Sequence, residues 1–238
     1  MIPKKIHYCW FGRGEKPKLA QKCIESWKKY CPGYEIIEWN EDNFDINLNP
    51  YTKMCYEQKK YAFLSDYIRL VVVYRHGGIY LDTDVEIIKP FDDLLDCEAF
   101  FGFENEQYVN TGEGFGAEAE NMLVKKMEEE YEPYLSGDKG TAGCPILNTA
   151  ALCREGLLQN GNLQQINGAV IYPKDFFNPL ESTTGKLLKT DNTYSIHWYS
   201  MSWLPLGQRI KSKVTKIFHR LFGTNCFGFL KNAEMKRP

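Results

Sequence analysis

Residues 77–86 read GGIYLDTDVE, an apolar segment that ends in two aspartates separated by one residue. The glycine pair marks a turn, and the alternation that follows it predicts a strand. In an extended strand, residues two apart share a face. One face of this strand would therefore carry Tyr80, Asp82, Asp84 and Glu86, and the two aspartates would be neighbours.

Two adjacent carboxylates repel each other, and each makes ionisation of the other less favourable. A divalent cation removes that conflict, and Mn²⁺ or Mg²⁺ is commonly held by one or two carboxylates together with substrate phosphates. Ligands in open α/β sheets gather beyond the carboxyl ends of strands, which is where Asp82 and Asp84 would lie. Two solvated acids at a strand end would give the same triplet, so the triplet alone leaves both interpretations open.

A helix is predicted just before this strand, over Tyr61–Tyr74. Its apolar residues recur at helical spacing, and Gly77-Gly78 would end it. Asp66 and Arg69 are three residues apart, so they share one face of this helix. They could form an ordinary surface salt bridge, which would contribute less than about 1 kcal/mol. They could instead offer an acceptor for sugar hydroxyls and a bidentate donor for anions.

The rest of the chain predicts alternating strands and helices. The first three elements are a strand over Lys5–Phe11, a helix that includes Leu19–Trp27, and a strand over Tyr34–Trp39, which together suggest a parallel βαβ unit. Three later elements are strands over Ala99–Phe103 and Ala169–Tyr172 and a mostly solvated helix over Asn121–Glu130. This alternation favours a single α/β domain.

The composition excludes several classes of function. The chain has 238 residues, a formal net charge of −2 and a pI of about 6.1, so it lacks an overall basic field and we expect no nucleic-acid partner. No segment has the roughly 18–20 consecutive apolar residues that span a bilayer, and residues 1–12 lack the apolar core of a signal peptide. The eight cysteines are scattered, without a C-x-x-C pair. We therefore expect a cytoplasmic protein with reduced cysteines.

Residues 206–238 differ in pattern from residues 1–205, which we assign to the main domain. An apolar stripe recurs at helical spacing and most of the bases fall off it, so a basic amphipathic helix is predicted. The stripe comprises Ile210, Val214, Ile217, Phe218, Leu221 and Phe222, and the bases are Lys211, Lys213, Lys216 and Arg220. Such a helix could lie on the inner face of the plasma membrane, or it could pack on the domain with its lysines in water.

Together these motifs resemble glycosyltransferase family 32, which includes yeast-type initiating mannosyltransferases and bacterial capsular polysaccharide enzymes, with clostridial glucosylating toxins as more distant relatives. The supporting segments are IPKKIHYCWFG at 2–12, AFLSDYIR at 62–69 and GGIYLDTDVE at 77–86. Weaker support comes from GFE at 102–104, GCPILNTAAL at 143–152 and SIHWYSMSW at 195–203. The resemblance implies a glycosyltransferase-A type fold, a Rossmann-like mixed sheet flanked by helices with the D-x-D at a strand end.

The resemblance also implies roles for individual residues. Asp84 and His197 would bind Mn²⁺ or Mg²⁺, and Trp10 would stack on the nucleotide base. Asp66 and Arg69 would hold the donor's sugar. The full donor-binding set is Trp10, Ser65, Asp66, Arg69, Tyr80, Asp82, Ser202 and Trp203, and the catalytic set is Arg69, Asp82, Asp84 and Glu104.

These roles predict a metal-dependent, retaining glycosyltransferase. Its donor would be a nucleotide sugar, with a UDP-sugar favoured over a GDP-sugar, and its acceptor a saccharide or lipid-linked saccharide in bacterial capsular or surface polysaccharide synthesis. Residues Gly140–Thr149 could line the acceptor cleft. Retention could proceed by front-face attack, in which the departing phosphate oxygen takes the acceptor's proton, or by double displacement through Glu104.

Two other functions are compatible with these motifs. A haloacid-dehalogenase-type phosphatase also places D-x-D after an apolar strand, but such enzymes usually continue D-x-D-x-[TV], and Glu86 occupies the last position here. A catalytically silent sugar-binding protein could share the fold. The presence of Asp66, Arg69, Asp82 and Asp84 together favours the transferase.

Overall fold

The computed structural model describes residues 1–200, 206–223 and 226. Seven strands form one mixed sheet and two form a separate small sheet within these residues. The strands are β1 (Lys5–Cys9), β2 (Glu35–Trp39), β3 (Gly78–Tyr80), β4 (Val85–Ile87), β5 (Ala99–Gly102), β6 (Phe115–Ala117), β7 (Gln164–Ile166), β8 (Ala169–Tyr172) and β9 (Ser195–His197).

The large sheet has the order β2-β1-β3-β6-β5-β8-β7. Strand β1 is parallel to both β2 and β3, and β5 is parallel to β8. Strand β6 runs antiparallel to its two neighbours, and β7 is antiparallel to β8. Strands β4 and β9 pair with each other, antiparallel, in the small sheet. The predicted parallel βαβ unit at the N-terminus is present.

The helices are α1 (Lys18–Tyr30), α2 (Pro50–Glu57), α3 (Tyr61–His76), α4 (Met122–Glu129), α5 (Cys144–Arg154) and α6 (Leu206–Phe222). Asn49 begins α2 with a reciprocal pair of hydrogen bonds to Thr52, and Asn121 accepts from Leu123 and Val124 at the start of α4. These caps satisfy backbone N–H groups that have no partner in the first turn of a helix. No described helix is both long and apolar enough to cross a bilayer.

The sheet separates two hydrophobic cores. Helices α2 to α5 cover one face, and α3 lies at their centre, in contact with α2, α4, α5 and strands β1 and β3. Helix α1 and the small sheet cover the other face, where α1 packs on β4 and Trp27 is fully buried. The chain therefore forms three layers, and the indole N–H of Trp27 in α1 donates to the carbonyl of Val85 in β4 at 2.7 Å.

The predicted single strand over 79–86 is wrong. Strand β3 ends at Tyr80, and the chain turns where the N–H of Val85 donates to the carbonyl of Asp82 at 3.0 Å. Strand β4 then joins a different sheet. One continuous strand and two short strands joined by a turn can show the same alternation of apolar and polar residues. The sequence pattern therefore could not distinguish the two arrangements. Asp82 and Asp84 consequently lie in a turn and not on one face of a strand.

The glycine pair at 77–78 has a structural reason. Gly77 caps α3 with φ of +60°, and Gly78 begins β3 with φ of +110°. A β-carbon at Gly78 would come within about 3 Å of Lys5 and His7 on the neighbouring strand. Only glycine therefore allows the last turn of α3 to lead directly into the strand that ends at the aspartates.

The burial of α3 and α4 can be compared with the predictions. Helix α4 was expected to be mostly solvated, and five of its eight residues are partly or fully exposed, while Leu123, Val124 and Met127 are buried against α3 and α5. Because α4 has only eight residues, these three apolar side chains are enough to bury one face of the helix. Helix α3 is buried on nearly all sides from Tyr67 to Val73, which is wider than its predicted stripe. The division into residues 1–205 and 206–238 stays a prediction.

Candidate active site

Two aspartates and a histidine from distant parts of the chain converge at one end of the large sheet. One ligand atom each from Asp82, Asp84 and His197 lie within 4.8 Å of one another. Asp82 and Asp84 belong to the turn between β3 and β4, and His197 ends β9. The pairing of Val85 with His197 in the small sheet brings the histidine to the aspartates.

Asp84 is held in place by the segment that follows β9. Its Oδ1 lies 3.3 Å from Nε2 of His197, and its Oδ2 accepts a hydrogen bond of 2.7 Å from the N–H of Ser200. Burial would raise the pKa of Asp84, but the positive charge on His197 and these hydrogen bonds together hold it well below its ordinary value. Asp84 is therefore an ionised carboxylate when His197 is protonated.

His197 is buried, with its ring 4.3 Å from that of Tyr199 between centroids. Burial alone would lower the pKa of His197, but the charges on Asp84, Asp82 and Glu104 and the hydrogen bond to Asp84 raise it overall. Tyr199 has a left-handed backbone with φ of +48°. That conformation is uncommon for a bulky residue, and it marks the sharp turn that directs the N–H of Ser200 at Asp84.

This donor set fits a divalent cation. Two carboxylates and an imidazole offer the oxygen and nitrogen ligands that suit Mn²⁺, and the carboxylates also suit Mg²⁺. Among the described residues, Nδ1 of His197 is buried without a hydrogen-bond partner, so the ring keeps a nitrogen that is not otherwise engaged. The predicted ligands Asp84 and His197 are brought together, and Asp82 joins them.

Arg69 organises the carboxylates beside this cluster. Its side chain is only 2% exposed, and Nη2 lies 2.9 Å from Oδ1 of both Asp66 and Asp82. The guanidinium also lies 4.8 Å from the centre of the Tyr80 ring, and Nε donates to the carbonyl of Ser65 at 3.2 Å. The surface salt bridge considered as an alternative for Asp66 and Arg69 is therefore wrong, because Arg69 is buried and the Asp66 side chain is only 15% exposed. In this conformation Arg69 acts through the two carboxylates that it contacts.

Burial affects the charge on both carboxylates. Burial raises the pKa of Asp66 to about 6, although the charge on Arg69 opposes the shift. Burial also raises the pKa of Asp82, again against Arg69. Tyr80 donates its hydroxyl to Oδ1 of Asp82 at 3.1 Å, so this carboxylate is fixed from two sides.

Asn110 and Gly112, which the motifs did not indicate, position the backbone of Asp82. The N–H of Asp82 donates to the Gly112 carbonyl at 3.0 Å, and Oδ1 of Asn110 accepts from the N–H of Gly112 at 2.8 Å. A β-carbon at Gly112 would overlap the Asp82 carboxylate and approach Nη1 of Arg69. The Asn-Thr-Gly sequence signals a turn, but nothing local connects that turn with Asp82.

Glu104 lies in a polar network next to the cluster. Its Oε1 accepts from the hydroxyl of Tyr199 at 3.3 Å, and its Oε2 accepts from Nδ2 of Asn110 at 3.4 Å. Asn178 also donates to the Tyr199 hydroxyl. Glu104 is partly exposed, so it is the member of this network that can meet a ligand.

Glu113 is a second carboxyl group that the motifs missed. It is fully buried near Gly102 and Phe177, and among the described residues neither carboxyl oxygen makes a hydrogen bond. Burial, reinforced by the charge on Glu104, raises the pKa of Glu113 well above its ordinary value. The folded chain therefore favours the protonated, neutral form of Glu113. A glutamate between two glycines gave no sequence signal of burial.

The other residues predicted to bind the donor or the acceptor lie in different parts of the chain. Trp10 follows β1, is partly exposed, and donates its indole N–H to the carbonyl of Gly14 at 2.7 Å. Ser65 donates its hydroxyl to the carbonyl of Ala62 within α3. Ser202 and Trp203 lie outside the described residues. Within the segment predicted to line an acceptor cleft, Cys144 reaches the site, with its sulfur 3.6 Å from Nη1 of Arg69.

Comparisons with known proteins agree with this geometry. Residues 17–101 match a family model described as the glycosyltransferase sugar-binding region containing a DXD motif. A 129-residue segment is 30% identical to the subversion of eukaryotic traffic protein A of Legionella pneumophila, covering 43% of this chain and 20% of the relative. A 107-residue segment is 35% identical to an uncharacterized glycosyltransferase of Acanthamoeba polyphaga mimivirus, covering 42% of this chain and 43% of the relative. The chain thus spans less than half of the length of either relative.

Among solved structures, the PaToxG glycosyltransferase superposes with a TM-score of 0.54 at 21% identity, over 65% of this chain and 70% of that one. At this identity the likeness concerns the fold. The chain has a glycosyltransferase-A type fold, as predicted, and its resemblance to glycosyltransferase family 32 is confirmed.

Proposed function

We propose that this chain, whose residues 17–101 match the glycosyltransferase sugar-binding region containing a DXD motif, transfers a sugar from a nucleoside diphosphate sugar to a saccharide acceptor. One observation carries the proposal: Asp82, Asp84 and His197 converge within 4.8 Å beside a buried arginine, although the histidine lies more than a hundred residues from the aspartates. Such convergence is what a divalent cation bound to a diphosphate requires.

Asp84 and His197 would hold the cation, and Asp82 would complete the set from the other side. When bound, a divalent cation offsets the negative charge that develops on a departing diphosphate. The His197 proton and the N–H of Ser200 already compensate the charge on Asp84 in the conformation described here. A neutral imidazole is the form that binds a metal, so cation binding would release the His197 proton, and the cation would then compensate the charge on Asp84.

Arg69 would set the orientation of the sugar-binding carboxylates. Because Nη2 bridges Asp66 and Asp82, each of these residues presents its second oxygen in a fixed direction. Carboxylate oxygens are strong acceptors for the hydroxyls of a sugar or ribose. Asp66 and Asp82 would therefore orient the donor, and Tyr80 would limit the movement of Asp82 through its hydroxyl. Trp10 would stack on the base.

We further infer a UDP-sugar donor, retention of the anomeric configuration and a role in capsular or surface polysaccharide synthesis, on the support of the sequence resemblance. Front-face attack is favoured over double displacement. Glu104 shares its two oxygens with Tyr199 and Asn110, and these contacts suit a group that orients an acceptor hydroxyl. An α-linked product from an α-linked donor is the expected outcome.

The proposal is tested by thermal unfolding with UDP, GDP and a panel of nucleotide sugars, each with and without Mn²⁺. A ligand at a hundred times its dissociation constant stabilises the folded state by about 2.7 kcal/mol. We expect a Mn²⁺-dependent stabilisation by one nucleotide, absent in Asp84→Asn and retained in Asp93→Asn, an exposed aspartate of a short 3₁₀ helix. If no nucleotide stabilises the protein with any metal, the proposal is wrong. Proton NMR of the product then reads the anomeric configuration.

A further inference from the structure

Helix α6 presents its apolar side chains to solvent. Ile210, Val214, Ile217 and Leu221 recur at three- or four-residue spacing, so they form one stripe along the helix, and Phe222 extends it at the C-terminal end. These five side chains are between 46% and 68% exposed. A contiguous apolar surface of this kind is unusual on a monomeric protein and marks a contact with another apolar phase.

The opposite, polar face of α6 is the one that meets the rest of the chain. Thr215 and Lys216 are half-buried there. Arg220 donates from its guanidinium to the carbonyls of Thr184 and Gly185, the latter at 2.8 Å. A surface helix of a globular protein normally turns its apolar stripe inward. This helix is inverted, because polar side chains bind the loop at 184–185 and the apolar stripe points away from it.

The basic residues around the apolar stripe indicate which kind of surface it contacts. Lys211 and Lys213 are exposed and flank the stripe on its two sides. Residues 206–238 contain eight of the chain's 29 Lys and Arg residues but only one of its 31 Asp and Glu residues, whereas the whole chain is slightly acidic. An anionic lipid surface satisfies both properties, since its acyl layer takes the apolar side chains and its headgroups take the lysines.

A second copy of α6 fits this face less well. Two identical helices joined through their apolar stripes would bring together two segments that each carry five Lys and Arg residues and no acidic residue. Like charges at such an interface oppose association. A bilayer has no such conflict, and it accommodates the long lysine side chains at the level of the headgroups.

We propose that α6 is an interfacial anchor that lies flat on an anionic lipid bilayer through Ile210, Val214, Ile217, Leu221 and Phe222. Because Arg220 and its neighbours fix α6 to the loop at 184–185, the bilayer would contact the side of the protein that carries this loop. The inference is independent of the proposed glycosyltransfer. If both hold, acceptors embedded in the bilayer would be the ones within reach.

The test is co-sedimentation of the full chain with vesicles of phosphatidylcholine alone and of phosphatidylcholine with phosphatidylglycerol. We expect binding to the anionic vesicles, reduced by salt, and at least about tenfold weaker partition of Ile217→Glu/Leu221→Glu. Charge reversal by Lys211→Glu/Lys213→Glu should weaken binding to anionic vesicles as well. Leu158→Glu is the matched control, because Leu158 is a 65% exposed leucine elsewhere on the surface and its replacement should leave binding unchanged.

The opposite results would overturn the proposal. Failure of the unaltered chain to bind either vesicle would do so, and so would equal binding by the Ile217→Glu/Leu221→Glu variant. A concentration-dependent dimer that this variant abolishes, without vesicle binding, would assign the face to a second copy. Hydrogen exchange of α6 with and without vesicles locates the contact directly, and nucleotide-dependent thermal stabilisation, measured separately, distinguishes failure of the anchor from failure of the proposed function.

Discussion

His197 and Asp84 face each other, with Nε2 of the histidine 3.3 Å from Oδ1 of the aspartate, because the strand that ends at His197 pairs with the strand that begins at Val85. The small two-stranded sheet is therefore more than a cover for one core. It fixes the distance between the D-x-D turn and His197, the ligand proposed from the C-terminal part of the chain, through backbone pairing of β4 with β9.

Replacing His197 should weaken metal binding without unfolding the protein. His197→Gln removes a nitrogen ligand but leaves the backbone pairing of β4 and β9, so we expect Mn²⁺ affinity to fall by at least roughly tenfold. Isothermal titration with Mn²⁺ measures the change, and circular dichroism checks the fold. His76→Gln, at an exposed position near the end of α3, is the control. Unchanged Mn²⁺ affinity in His197→Gln would remove this residue from the metal site.

Removing the charge of Arg69 should destabilise the protein strongly. Arg69→Met leaves Asp66 and Asp82 without their buried partner, and the loss of one member of such a pair lowers the free energy of unfolding by about 3–5 kcal/mol. The double variant Arg69→Met/Asp66→Asn should recover part of this loss, because only one carboxylate then remains unpaired. Urea unfolding provides both values.

The control for this prediction is Arg13→Met, which breaks an exposed ion pair with Asp42 and should leave the free energy of unfolding unchanged. A stability for Arg69→Met equal to that of Arg13→Met would show that the buried pairing of Arg69 does not contribute to folding.

Adding one methyl group at Gly112 should damage the site more than the fold. In Gly112→Ala the β-carbon would overlap the Asp82 carboxylate, which Arg69 and Tyr80 hold from the other side, so the carboxylate must move. We expect the apparent affinity for the nucleotide, measured from its thermal stabilisation of the protein, to fall by about tenfold or more. Gly33→Ala, where nothing lies within 4 Å of the new carbon, is the matched control. Equal affinity in the two variants would contradict this account of Gly112.

Stability should fall at low pH because of His7. Its Nε2 lies 2.8 Å from the carbonyl of Gly77 and its Nδ1 accepts from the indole of Trp39, so the neutral ring is the form that fits. Burial lowers the pKa of His7 from 6.5 to about 4, against the hydrogen bond to Gly77. The unfolded chain therefore binds the proton first, and stability is lost as pH falls from 6.5 to 4, by about 3 kcal/mol.

His7→Gln can make both hydrogen bonds without titrating, so its unfolding free energy should change less across this range. Urea unfolding at pH 7, 5.5 and 4.5 measures the slope, with His219→Gln on α6 as the control. Parallel slopes for the native chain and His7→Gln would show that His7 is not the group responsible.

Glu113 should have the opposite effect at higher pH. Burial raises the pKa of its carboxyl well above 4.5, so above that pH the unfolded chain is ionised at this position while the folded chain is still protonated. Stability then falls as pH rises, by up to about 1.4 kcal/mol per pH unit until the folded pKa is reached. Glu113→Gln should reduce this slope above pH 4.5, whereas the exposed Glu106→Gln should keep it. Identical slopes in both variants would exclude Glu113.

Part of the site could be predicted because its members are close in the sequence. Asp66 and Arg69 share a helical face through a three-residue spacing, and Asp82 and Asp84 follow one strand. Asn110, Gly112 and Glu113 escaped prediction because the position of each depends on packing against residues far away along the chain. Cys144 lies in the segment predicted to line an acceptor cleft, but its contact with Arg69 was not predicted. Ser200 was missed for a different reason, since it acts through its backbone N–H, which carries no sequence signature.

Local patterns predicted the βαβ unit from its periodicity, α3 from its apolar spacing and terminal glycines, and the pair of neighbouring acids from the D-x-D. Every feature that depends on distant partners required the folded chain. The tertiary structure divided the segment 79–86 between two sheets, buried Arg69 between two carboxylates, and turned the apolar stripe of α6 outward. Periodicity reports which residues share a face, whereas the partner of that face is set by contacts between segments remote in the chain.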